Sequence, residues 1–190
     1  HGCGLDGVRC VLLGWASSTS GIIDGFTLAD GHCYGKSGAA TDYDAMGGGV
    51  LSLSSTSGRN PANGVWVRNC VITNCAAYNA VASRVCLENC RVVGNAGGTT
   101  LVYQGSGYGS YFNGNTATRV FNYSLNLVGC TIGPDNKDGE KNAQPFANTI
   151  GGTGAIMRNS LVCLPTALGG SQVTEIRNCV FARKSDLLQA

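Results

Sequence analysis

Charge is scarce in this chain. Charged residues are 13% of 190, proline occurs only 4 times and histidine twice. The 13 Lys and Arg against 11 Asp and Glu leave a formal +2, and the basic residues are scattered, which argues against a nucleic-acid partner. No apolar run approaches the length needed to cross a bilayer, and no signal-peptide pattern is visible. No window sustains a 3.6-residue apolar period, which argues against a helical fold. There is no C-x-x-C, so zinc-type and thioredoxin-type chemistry is not expected, and neither a metal nor a cofactor is expected. There is also no Asp-Asp pair and no Asn-Thr-Asp.

What is present fits short strands and tight turns. Glycine occurs 29 times, hydrophobic residues reach 43%, and Ser, Thr, Asn and Val are frequent. The mean hydropathy of +0.05 fits a folded domain and not a disordered tail. The chain opens at His1, without Met, in sequence that already reads as strand and turn. Residues 1–190 are therefore expected to form one domain that is a piece of a longer protein.

A repeat organises the whole sequence. Arg68-Asn69-Cys70-Val71-Ile72 is followed by Glu88-Asn89-Cys90-Arg91-Val92, Val128-Gly129-Cys130-Thr131-Ile132 and Arg177-Asn178-Cys179-Val180-Phe181. Arg158-Asn159-Ser160-Leu161-Val162, Asp24-Gly25-Phe26-Thr27-Leu28 and Tyr108-Gly109-Ser110-Tyr111-Phe112 are variants. Cys70, Cys90, Ser110 and Cys130 succeed one another at intervals of 20, and Ser160 and Cys179 are 19 apart. A fixed period of this length marks stacked supersecondary units.

The columns of the repeat say which way residues face. Two places after the Cys position stand Leu28, Ile72, Val92, Phe112, Ile132, Val162 and Phe181, all apolar. Strand alternation then turns both the Cys position, Phe26 included, and this column inward. Asn one place before Cys suits a corner, because it tolerates a left-handed backbone, and successive Asn side chains would stack as a ladder. Thr73-Asn74, Gly94-Asn95 and Gly114-Asn115 mark a second corner. The fold expected is all-β: a single-stranded right-handed parallel β-helix with coils of about 20 residues. Cys130 and Ser160 are 30 apart, so residues 134–146, polar and holding Pro134, Gly139 and Pro145, are expected to form a loop insertion.

At these residues the chain resembles the right-handed parallel β-helix repeats of bacterial surface and secreted proteins. Phe112-Asn113-Gly114-Asn115 is similar to the F-x-x-N element of polymorphic outer-membrane-protein repeats, and Gly48-Gly49-Val50 to their G-G-A-[ILV] partner. Gly25-Phe26-Thr27-Leu28, Gly47-Gly48-Gly49-Val50 and the N-C-x-[IV] coils resemble large β-helix proteins of environmental and gut bacteria. The resemblance implies a solenoid and a secreted or cell-surface location. It leaves function open, since pectin-lyase-like solenoids also host lyases and hydrolases.

Catalytic signals are weak. Asp30-Gly31-His32 reads as a turn, and Asp24, Asp30, Asp42 and Asp44 form no pair of defined separation, so glycoside hydrolysis is unsupported. The loop 134–140 lacks the order of a calcium loop and has Lys137 among the would-be ligands. Cys70 and Cys90 are expected to be buried, unbonded neighbours. Cys3, Cys10, Cys33, Cys75, Cys86 and Cys163 lie outside that column, and a bridge such as Cys3–Cys10 or Cys3–Cys33 is conceivable.

One outward patch stands out. Arg68, Glu88 and Tyr108 occupy one column in three successive coils, with Arg91 and Tyr111 across the corner. Rings and charged groups in this array suit a sugar, while an ordinary surface ion pair and a cation–π contact suit it as well. The function expected is a secreted or cell-surface, adhesin-like scaffold that binds a polysaccharide or cell-surface glycan, with no catalysis evident. Alternatives are a polysaccharide lyase or glycoside hydrolase, and a self-assembling filament module. End strands with unpaired edges would call for a flanking domain or end-to-end self-association.

Overall fold

The computed structural model describes residues 7–14, 21–35, 43–53, 64–124, 126–138, 141–142, 144–147, 155–163 and 173–182. The regular structure of the described residues is almost wholly strand, with one short 3₁₀ turn at Tyr43–Ala45. Four parallel sheets contain nearly all of it.

The sheets follow from the repeat. Sheet 1 holds Ile22–Asp24, Trp66–Arg68, Cys86–Glu88, Ser106–Tyr108, Asn126–Val128, Ala155–Arg158 and Val173–Arg177 in spatial order. Sheet 2 holds Thr27–Ala29, Val71–Thr73, Arg91–Val93, Tyr111–Asn113, Thr131–Ile132, Leu161–Val162 and Val180–Phe181. Sheet 3 is short: His32–Cys33, Ala76–Ala77 and Ala96–Gly97. Sheet 4 holds Val11–Leu13, Met46–Ser52, Ala80–Ser83, Thr100–Tyr103, Arg119–Asn122 and Gln144–Ala147. The chain visits the sheets in the same cyclic order again and again, which is compatible with a parallel β-helix.

The register is the one the repeat predicts. Leu28, Ile72, Val92, Phe112, Ile132, Val162 and Phe181 are successive partners along one line across sheet 2. The first six are buried; Phe181 is 48% exposed because it lies on the last strand of its sheet. Phe26, expected to face inward, is instead 60% exposed beside the first strand of the same sheet. With no described strand beyond it on that side, the ring has nothing to pack under.

The corners use left-handed backbone where the sequence places Asn or Gly. Gly25, Asn69, Asn89, Gly109, Gly129, Asn159 and Asn178 all have positive φ at the first corner. A Cβ at Gly109 would come 2.7 Å from Asn89 Oδ1, so a side chain there would push the Asn89 amide aside. The Asn ladder forms in part, Asn178 Nδ2 donating to Asn159 Oδ1 at 3.2 Å. Asn69 Nδ2 donates to Asp24 Oδ1 at 2.7 Å instead, and the glycines interrupt the stack. At the second corner Asp30, Asn74, Gly94 and Gly114 have positive φ, so the Asn that follows each glycine turns inward and not outward. A third corner, Arg84, Gln104 and Tyr123, was not anticipated.

That inward turn builds a buried polar column. Asn95, Asn115 and Asn136 are each 2% exposed or less. Asn115 Nδ2 donates to Asn136 Oδ1 (2.8 Å) and to the carbonyls of Val92 and Asn113, while its Oδ1 accepts from the backbone and side chain of Asn95. The insertion is consequently narrower than the expected 134–146. Asn136 completes the column, Lys137 bridges to Thr116, and Gln144–Ala147 pairs with Arg119–Asn122. Within this stretch Lys137–Asp138 pairs antiparallel with Lys141–Asn142.

The thiols are part of the core. Cys70, Cys90 and Cys130 are buried, and none of the nine described cysteines is in a disulfide, Cys70 and Cys90 included. Burial pushes Cys75, Cys86 and Cys130 from the ordinary 9.0 to about 12, and Cys90 to about 11. A thiol whose value rises on folding stabilises the fold fully below its unfolded value, and that stability is lost as pH climbs toward the folded one. The urea midpoint is therefore expected to hold steady up to about pH 9 and to fall between about pH 9 and about pH 12. Replacing Cys90 by Ala should make that fall shallower.

Candidate functional site

Alternation along Trp66–Arg68 settles the outer face of sheet 1. Val67 is fully buried, so Trp66 and Arg68 point out. Arg68, Glu88 and Tyr108 are successive partners across three strands, and Arg91 and Tyr111 are partners across the corner on sheet 2. The two sets lie on either side of the Asn69, Asn89 and Gly109 corner.

On sheet 1 the side chains make one continuous array. Arg68 Nε lies 2.5 Å from Glu88 Oε2, and the Arg68 guanidinium stands 4.8 Å from the Trp66 ring centre. The Trp66 and Tyr108 rings are 5.5 Å apart at an interplanar angle of 37°. Asn126 Nδ2 donates to the Tyr108 hydroxyl at 2.9 Å. Beneath the rings Cys86 and Ser106 are fully buried, although their strand positions face outward. Burial raises the Tyr108 phenol above its usual value, against the lowering effect of the Asn126 bond, and keeps it a neutral hydroxyl at neutral pH.

Trp66 and Asn126 were missed in the sequence. The signal was there: with Val67 inward, its neighbour Trp66 had to face out. The ion pair itself is half-exposed, at 35% and 37% of the side chains, and contributes well under ~1 kcal/mol to stability. Its consequence is placement, because it helps hold the guanidinium over the indole.

On sheet 2 the Arg91 guanidinium lies 5.9 Å from the Tyr111 ring centre, and both line an open recess of about 340 Å³. Farther along sheet 1, Arg158 grips Glu175 with two bonds of 2.6 and 2.8 Å, and Arg177 joins at 2.9 Å. Arg158, and to a lesser degree Arg177, hold the Glu175 carboxyl below the usual range.

The chain matches no protein-family model, no curated protein and no solved structure.

Asp24 and Asp30 are engaged at separate corners, Asp24 accepting from Asn69 and Asp30 from Asn74 at 2.6 Å. Asp42 lies outside the described residues, and Asp44 sits in the 3₁₀ turn. His32 is exposed, 6.1 Å from the Tyr34 ring. Asp135 is tied to Asn113, accepting from its Nδ2 at 3.2 Å. Among the described residues no group of three or more His, Cys, Asp or Glu could hold a metal ion. No described helix is long and apolar enough to cross a membrane. Cys3, offered as a bridging partner for Cys10 or Cys33, lies outside the described residues.

Proposed function

We propose that the chain is a right-handed parallel β-helix that serves as a secreted or cell-surface, adhesin-like scaffold and binds glycans on the outer face of sheet 1. The cyclic order of the sheets supports the helix, and parallel crossovers are right-handed in the great majority of folds. The resemblance to bacterial surface solenoids supports the location.

The Trp66–Tyr108 ring pair is the observation that carries the binding reading. Two rings side by side offer an apolar platform to the C–H face of a sugar. The Arg68–Glu88 pair and the Asn126 amide, at the edge of that platform, offer donors and an acceptor to hydroxyls. The platform is held from below by fully buried Cys86 and Ser106, so the rings need little ordering on binding.

Affinity electrophoresis against neutral and acidic polysaccharides tests this. Retardation by at least one of them is expected, and Trp66→Ala should weaken it about tenfold or more, the size of a lost stacking contact. Arg91→Ala, on the neighbouring sheet, should have a smaller effect. Failure of every polysaccharide to retard the protein would sink the reading. Release of unsaturated product or new reducing ends in the same mixtures would favour the lyase or hydrolase alternative.

A further inference from the structure

The inward column of Asn136, Asn115, Asn95 and Cys75 reaches a glycine at its next position. His32 pairs with Ala76, so Gly31 stands where Cys75 stands one strand later. Gly31 has no side chain for the column, and another part of the chain supplies one. A Cβ on Gly31 would collide with Gly48 O and lie 2.7 Å from Cys10 Sγ and 2.9 Å from Cys10 N, so backbone and the Cys10 thiol together close the space a side chain would need. The Cys10 thiol also makes the hydrogen bond typical of the column. It donates to the carbonyl of Ala29, two residues before Gly31, at 3.2 Å. Cys75 donates likewise to Thr73 at 3.3 Å, and Asn95 to Val93 at 3.1 Å. Cys10 therefore acts as the missing side chain of Gly31, and its sulfur rests 3.7 Å from that of Cys75.

We propose that Cys10 and Cys75 form a disulfide-exchange site, which closes to a bond when the protein meets a low-molecular-weight disulfide. Both sulfurs already stand in one column, so a shift of about 1.7 Å brings them to bonding distance. Cys10 is partly exposed whereas Cys75 is buried, and this sets the order of events. The Cys10 thiol loses its proton and attacks one sulfur of the incoming disulfide, breaking its S–S bond and releasing one small thiol. The Cys75 thiol then loses its proton and attacks Cys10 Sγ in the mixed disulfide, expelling the second small thiol. The protein pair gives up two electrons and two protons, and the small disulfide takes them up as two thiols.

Oxidised glutathione on the native full chain is the test. The wild type is expected to lose two hydrogens, to retain no glutathione, and to yield a peptide linking Cys10 to Cys75. Fragmentation distinguishes Cys75 from Cys70, since both lie between Arg68 and Arg84. The new bond spans 65 positions of sequence and should raise Tm by about 10 °C, reversibly on reduction. Cys75→Ser should stop at the first step, with one glutathione held on Cys10. A wild type that keeps glutathione on Cys10, links Cys10 to another cysteine such as Cys3, or leaves both thiols free overturns the proposal. If the variant does not fold, the wild-type peptide map decides by itself.

Discussion

Replacing Asn115 by Leu is expected to destabilise the protein by about 4 kcal/mol, seen as a fall in the urea midpoint with little change in slope. Leucine keeps the branched skeleton of Asn but is bulkier, so some overpacking adds to the lost hydrogen bonds. The two N–H groups of Asn115 Nδ2 are shared among Val92 O, Asn113 O and Asn136 Oδ1, and its Oδ1 accepts from the backbone and side chain of Asn95. An apolar side chain leaves several of these partners buried without water, each costing about 1–3 kcal/mol before relaxation. The column also names its own milder substitute. Cys75 fills the same position and donates to Thr73 and Leu28. Asn115→Cys should therefore cost about half as much as Asn115→Leu. Asn74 is the contrasting case. It sits at the corner itself, exposed, where the next two strands have Gly94 and Gly114. Asn74→Gly should change stability by less than about 0.5 kcal/mol. Equal costs at Asn74 and Asn115 would refute the buried column.

These two asparagines also show how far the sequence could be read. The period of the repeat, the line from Leu28 to Phe181 and the left-handed first corner all follow from residue type at constant phase, because strand alternation leaves each column only two choices. The second corner was legible as a corner, but not which of its residues turned inward. Gly94-Asn95 and Gly114-Asn115 carry two turn-forming residues each, and only the backbone decides that Gly takes the positive φ and Asn the interior. The third corner gave no signal. Arg84, Gln104 and Tyr123 are poor left-handed formers, held there by contacts from distant strands, such as Arg84 Nε to Gln104 Oε1 at 3.0 Å. The boundaries of the insertion were misplaced for the same reason, since Asn136 was read with its polar neighbours and not with Asn115. Of the outward patch, Arg68, Glu88 and Tyr108 were legible as one column. The ring that makes it a platform, Trp66, needed the alternation to be carried one residue further. The placement of Cys10 in the space of Gly31 had no sequence signal at all, because Cys10 belongs to no copy of the repeat.

Phe112→Ala is expected to cost about 4 kcal/mol, the range for an aromatic ring removed from a closed core. The ring is fully buried between Val92 and Ile132 in the apolar line, and it meets Phe121 of sheet 4 edge-on, centres 4.9 Å apart at 74°. Phe181 occupies the same line on the outermost strand of sheet 2 and is 48% exposed, so Phe181→Ala should cost about 1 kcal/mol or less. A single residue type at a single phase thus gives a fourfold difference set by the number of strands that flank it. The distribution of the damage is a sharper test than its size. Each strand of sheet 2 pairs only with the strand before and the strand after it. A cavity at Phe112 therefore loosens Arg91–Val93 and Thr131–Ile132 first, and Thr27–Ala29 and Val180–Phe181 much less. Hydrogen exchange on the Phe112→Ala protein should show the largest loss of protection in those two neighbours and across sheet 4 at Val120–Phe121. Uniform loss across all seven strands would mean that the stack unfolds as a single unit, and that its stability is not a sum of contacts between successive strands.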